Sequence, residues 1–122
     1  MGLDMYAYAL STAPCRAVDF KLGDQATELH YWRKHPNLHG WMERLYRDKG
    51  GVADSFNCVN LVLTAEDLDR LEGAIRGRRL PHTTGFFFGE SDGSEQADDL
   101  SFIAKARMAI AAGATVVYSS WW

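Results

Sequence analysis

Cysteine is scarce in this chain, two in 122 residues, and Cys15 and Cys58 stand too far apart to form a CxxC pair. That excludes a disulfide framework and predicts two free thiols. Long apolar runs are missing as well. None approaches the roughly 18 to 20 residues that span a bilayer, and no basic segment followed by a hydrophobic core opens the chain. No membrane contact and a cytoplasmic location are therefore expected. Positive charge is in deficit: 13 Lys and Arg against 16 Asp and Glu, a net charge of -3. This argues against general nucleic-acid binding, because phosphate affinity rests on clustered cations that release counterions. The two basic clusters, Arg33-Lys34 and Arg76-Gly77-Arg78-Arg79, are short, and the second reads as a solvated helix end. The strings GxxxxGK[ST], GxGxxG, HExxH and GxSxG are all absent, which removes the enzyme types they mark. Repeats, linkers and low-complexity segments are absent too.

What is present has the composition of a globular domain, 47% hydrophobic and 24% charged. A chain of this length buries one core and leaves little for a second, so residues 1–122 are expected to form a single domain. Met1 to Leu10 alternates as a strand, with Leu3, Met5, Ala7 and Ala9 on one face and Asp4, Tyr6 and Tyr8 on the other. AVDFKL suggests a short second strand. From Asp24, an N-cap residue, the spacing of Ala26, Leu29 and Trp32 or Arg33 predicts a helix that ends near His35, because the residue before a proline avoids the α region. Pro36 then starts another helix that runs to about Lys49 and stops at Gly50-Gly51. Trp41, Leu45, Leu38, Met42 and Tyr46 form its apolar face, with Gly40 behind and His39 and Glu43 on the edge.

Phe56 to Leu63 reads as a strand. Thr64 with Asp67 makes a capping box for a helix that buries Leu68, Leu71 and Ile75 and ends at Gly77 to Pro81. Ser94 is expected to cap the last helix, whose apolar face is Ala97, Leu100, Ile103, Ala104, Ile110 and Ala111, with Arg107 in its middle, Phe102 opposite and Gly113 closing it. TVVYSSWW is a closing strand. The whole predicts an α+β fold: a single compact domain with a small antiparallel sheet, built from the N- and C-terminal strands plus about residues 56–63, packed with three or four helices. The two terminal strands are expected to be neighbours.

The richest stretch is LHYWRKHPNLHGW, Leu29 to Trp41, with three of the four histidines and two of the four tryptophans. Zinc on His30, His35, His39 and Cys58 is conceivable, but no pair shows CxxC or HxxxH geometry within one uninterrupted helix, so neither a metal nor a cofactor is expected. His39 and Glu43, four residues apart, either form an orienting pair for proton transfer or a plain surface hydrogen bond. Arg107 must reach water or a carboxylate, and Asp4 is the candidate partner; otherwise the pair lines a pocket. Phe87 either packs in the core beneath the first hairpin or is presented to a partner. Tyr6, Tyr8, Tyr31, Phe102, Tyr118, Trp121 and Trp122 are hard to bury all together, and Tyr, Trp and Arg are the residues that dominate binding hot spots. Phe102, opposite its helix's apolar stripe, suggests either a second packed layer or, with Trp122, a homodimer surface.

Taken in order, MGLDMY, ELHYWRKHPNLHGW, TTGFFFG and YSSWW resemble a family of small uncharacterised proteins encoded by bacteriophages, prophages and bacteria. Asp4, Glu28, Tyr31, Trp32, Arg33, Lys34, His39, Trp41, Gly85 through Gly89, Tyr118, Ser119, Ser120 and Trp121 match its pattern, whereas His30 and His35 do not. Asn37 sits one place late, and a glutamine before the serine pair is missing. The family carries no established activity, so the resemblance implies where a site lies and not its chemistry.

Two functions follow as expectations. The first is a phage-type binding protein that engages a host protein or protein complex in the host cytoplasm, an inhibitor of a defence complex such as a CRISPR effector among the options. Its binding residues would be Asp4, Tyr31, Trp32, Arg33, Lys34, His39, Trp41, Phe87, Arg107, Tyr118, Ser119 and Ser120. The second is a small-ligand or phosphate-handling enzyme using Arg33, Lys34 and His39. Both require the Pro36 corner to turn Trp32, Arg33 and His39 outward together.

Overall fold

The computed structural model describes residues 2–23, 25–85 and 88–122. The expectations placed on Asp24 as a cap and on Phe87 as a core or partner residue lie outside the described residues. Along the chain run β1 (Asp4–Leu10), β2 (Thr27–Arg33), α1 (Pro36–Asp48), β3 (Leu61–Leu63), α2 (Ala65–Arg76), α3 (Gln96–Ala111) and β4 (Thr115–Trp121). The α+β class expected from the sequence is the one found. The four strands form one antiparallel sheet in the order β2-β1-β4-β3. The terminal strands are neighbours, as expected, and they occupy the middle of the sheet.

Thr27 to Arg33 is a strand, which corrects the helix read there. Ala26, Leu29 and Trp32 fit a helical stripe, yet His30 and Trp32 are buried while Tyr31 and Arg33 are exposed, a period of two. Pairing along β1 selects the strand, since β-branched and aromatic side chains suit a half-buried pleat. Ala7 faces His30 and Tyr8 faces Glu28, so Leu29 is passed over as a bulge. The expected strand at 56–63 shrinks to Leu61–Leu63, and AVDFKL contributes one bridge, Val18 to Leu61.

Helix α1 begins at Pro36 as predicted, and Gly50 follows its end with φ +95°. Its His35 cap makes no side-chain cap bond; instead Ser91 Oγ accepts the Asn37 N–H at 3.1 Å. Helix α2 carries the predicted capping box between Thr64 and Asp67. Asp67 is buried and joined to Lys49 and Arg70. Helix α3 is capped by Glu95, which corrects Ser94: the Glu95 carboxylate accepts the Asp92 and Gly93 N–H groups.

The buried face of α3 is Asp99, Phe102, Ile103 and Ala106. Phe102 is therefore core, packed edge-on to Trp32 at 4.8 Å, and the expectation that it stands opposite the apolar stripe, free for a homodimer, fails. Alanines on every side of this helix blur its apolar stripe, so the periodicity cannot choose the face. Leu3, Met5, Tyr118, Leu61, Leu63, Leu38, Met42, Leu68 and Leu71 complete one core between the sheet and the helices.

Candidate functional site

Cross-strand rows assign every sheet residue to a face, because partners directly opposite point the same way. Met5 with Trp32 and Ser120, and Ala7 with His30 and Tyr118, face the helices. Asp4 with Arg33 and Trp121, Tyr6 with Tyr31 and Ser119, and Tyr8 with Glu28 face outward. Of the expected binding residues, the fold thus brings Asp4, Tyr31, Arg33 and Ser119 together on the outer face. Trp32, His39, Tyr118 and Ser120 are buried on the inner side.

The outer face is aromatic. Tyr6 stacks on Tyr8 at 5.9 Å and meets Tyr31 at 5.3 Å. The Tyr31 hydroxyl donates to Asp4 Oδ1 at 2.6 Å, and that bond, with some burial, raises the Tyr31 pKa above its ordinary value and keeps the phenol neutral. Arg33 Nε stands 3.9 Å from the same carboxylate, with both groups open to water. Trp121 is 65% exposed and Tyr31 44%. Lys34, exposed at the corner after β2, holds a left-handed φ of +55° while its N–H donates to the Leu3 carbonyl at 2.9 Å.

The remaining expectations resolve elsewhere. His39 is 1% exposed. Its Nδ1 lies 2.6 Å from the Tyr118 hydroxyl and the ring also bonds the Phe56 backbone, while Glu43 meets Arg47 instead. Burial drives its pKa down to about 4, and burial likewise pushes the Tyr118 phenol up. Ser120 Oγ is buried and has no hydrogen-bond partner by geometry among the described residues. Arg107 lies on the exposed side of α3 and binds Asp69 and Glu72 of α2, not Asp4. Trp41 is half-buried on α1. Trp122 is partly buried on the core, its indole N–H donating to the Phe56 carbonyl at 2.9 Å. Arg33 faces outward from β2 and Lys34 is exposed at the corner after it, whereas His39 is buried on the inner side, so the three do not form one open site. Both cysteines are free and exposed.

A polar relay emerges that sequence reasoning missed. Asp99, 2% exposed on α3, accepts the Trp32 indole N–H at 3.1 Å and meets His35 Nε2 at 2.8 Å. The other ring nitrogen of His35 lies 2.6 Å from Ser91 Oγ. Nearby, His30 bonds Asp98 at 3.0 Å and Lys105 at 3.2 Å. All three histidines of the zinc idea are thus tied to other side chains, and no group of three His, Cys, Asp or Glu among the described residues is placed to hold a metal. Asp99 could have been found from the register 99, 102, 103, 106, which sets a carboxylate on an apolar stripe where it needs buried donors. No helix is long and apolar enough to cross a membrane. Compared with known protein families, curated proteins and solved structures, the chain has no match.

Proposed function

We propose that the chain is a binding protein that docks a host protein through the outer face of its sheet. The observation that carries this reading is the row Tyr8, Tyr6, Tyr31 with Arg33 and Trp121, held on paired strands and left uncovered by the helices. Antiparallel sheets with one face in water usually present polar side chains there. Here the side chains are those that dominate hot spots, and strand pairing holds their backbones before any partner arrives, which lowers the ordering cost of association. Asp4 and Glu28 on the same face, with the net charge of -3, favour a protein surface over a phosphate backbone.

The resemblance to phage and prophage proteins supports a host-cell cytoplasmic setting, with a defence complex such as a CRISPR effector as the target class. Affinity capture from bacterial lysate tests the reading, comparing wild type with Tyr31→Ser/Trp121→Ser. One partner retained by wild type and lost by the variant, with an unchanged melting temperature, is the expected result. Identical captures from both proteins would count against the outer face.

A further inference from the structure

The relay from Trp32 through Asp99 and His35 ends at Ser91, where it reaches open space on the helical side, away from the aromatic face. A cleft of about 340 Å³ opens there, and Ser91, His35 and Asn37 share its wall with Ile75, Leu80 and Arg78. Its size lies at the lower end of the range for small-molecule sites, roughly 300 to 1,000 Å³.

The Asp99 carboxylate, an acceptor, selects the tautomer in which His35 Nε2 bears a proton. The Asn37 N–H fills one of the two acceptor positions of Ser91 Oγ at 3.1 Å, and with the ring proton on Nε2 the hydroxyl proton is directed to the Nδ1 lone pair, 2.6 Å away. Nε2 donates its proton to Asp99 Oδ2 at 2.8 Å. The second Asp99 oxygen accepts from Trp32 at 3.1 Å and cannot swing away. A serine proton aimed at an imidazole lone pair, with a carboxylate holding the opposite nitrogen, is the arrangement that activates a serine as nucleophile. The two ring nitrogens serve interchangeably, since the chemistry needs one lone pair and one N–H.

We propose that Ser91, His35 and Asp99 form an acyl-transfer site that hydrolyses neutral carboxylic esters of short acyl groups. Ile75 and Leu80 offer an apolar wall to the acyl chain, and the Asp92 and Glu95 carboxylates at the cleft repel anionic substrates. Ser91 Oγ attacks the carbonyl carbon: the O–C bond forms, the hydroxyl proton passes to His35 Nδ1, and the carbonyl π pair moves onto oxygen. Asn37 lines the cleft with Ser91, its backbone N–H on Ser91 Oγ and its Oδ1 held by the Thr83 N–H at 3.0 Å, and its side-chain N–H is the donor assigned to that oxyanion. The pair returns, the ester C–O bond breaks, and His35 gives its proton to the departing alkoxide. Water then attacks the acyl-serine, its proton going to His35, and the acid leaves as Ser91 Oγ takes that proton. Asp99 touches no substrate; it is a positioning residue that holds the ring and its tautomer.

The test exposes wild-type protein to an alkyl fluorophosphonate, with adducts located by peptide mapping, and separately to p-nitrophenyl butyrate. The expected adduct is on Ser91 and forms at least ~10²-fold faster than on the exposed Ser94 or Ser101, the scale of general-base assistance. Nitrophenol release should vanish in Ser91→Ala. Ser91→Cys keeps an acceptor for the Asn37 N–H and should react with iodoacetamide faster there than at Cys15 or Cys58. Nitrogen NMR shifts of His35 should report the Nε2–H tautomer in wild type, and Asp99→Asn should lose both that signature and ~10²-fold of the labelling rate. A wild-type Ser91 labelled no faster than Ser94, or nitrophenol release unchanged in a folded Ser91→Ala, would overturn the proposal.

Discussion

At the scale of single residues, sequence and structure part company over the histidines. His39 has the neighbours of a surface acid-base pair in sequence, yet α1 turns it into the core among Phe56, Phe88 and Tyr118. Its chemistry there is that of a neutral donor and acceptor. Burial is the main cause of its low pKa, about 4 against an ordinary 6.5, and the bond to the Phe56 backbone opposes it only in part. Because the folded value is the lower one, the unfolded chain takes up the proton first as pH falls. The stability contributed by the neutral ring is complete above about pH 6.5 and is lost on the way down to 4, with roughly 2 kcal/mol gone by pH 5. A proton NMR titration should find the His39 ring still neutral at pH 5, and an inflection near 6.5 would mean that the ring is in water. Among the residues expected to bind, Asp4 was placed on its face because alternation along a strand is short-ranged, whereas Tyr31 and Arg33 reach that face only through the strand β2 that was read as a helix. The Ser91, His35 and Asp99 set was not legible, since three segments far apart in sequence create it.

At the scale of elements, the helices other than α3 were easy to read and β2 was not. Seven residues hold only two helical turns, and in TELHYWR both faces carry rings, so the two periods compete on equal terms until β1 pairs with it. Proline, paired glycines and a capping box, by contrast, act locally and need no partner, which is why α1 and α2 begin and end where expected. Gly40 shows how context reverses an intrinsic preference. In a helix interior Gly→Ala ordinarily gains up to about 1 kcal/mol. A Cβ at Gly40, however, would stand 1.9 Å from Thr83 Oγ1, and Thr83 is held by bonds to Asn37 and Pro81. Gly40→Ala is therefore expected to destabilise the protein by about 1 to 3 kcal/mol in urea denaturation. A gain in stability would show that the segment 81–83 does not rest on α1.

At the scale of the whole molecule, the layers separate two surfaces. Helices cover one side of the sheet and leave rings on the other, while the cleft at Ser91 opens among the helix ends. The edge strand β2 is protected by its bulge and by charged Glu28 and Arg33, so pairing with a foreign strand is discouraged and side-chain docking is favoured. The central pairing is β1 with β4, Asp4 opposite Trp121, the most distant in sequence of any in the sheet. Spatial closeness of the two ends means that a short Gly/Ser tether from Trp122 to Gly2, with the chain opened between the exposed Asp54 and Ser55, should give a circular permutant with the same fold. In that rearranged chain β4 and β1 become a local hairpin. The slowest loop closure is removed, and stopped-flow refolding should run faster than in the parent. The order in which this sheet is written along the polypeptide is thus one choice among several that its geometry would accept.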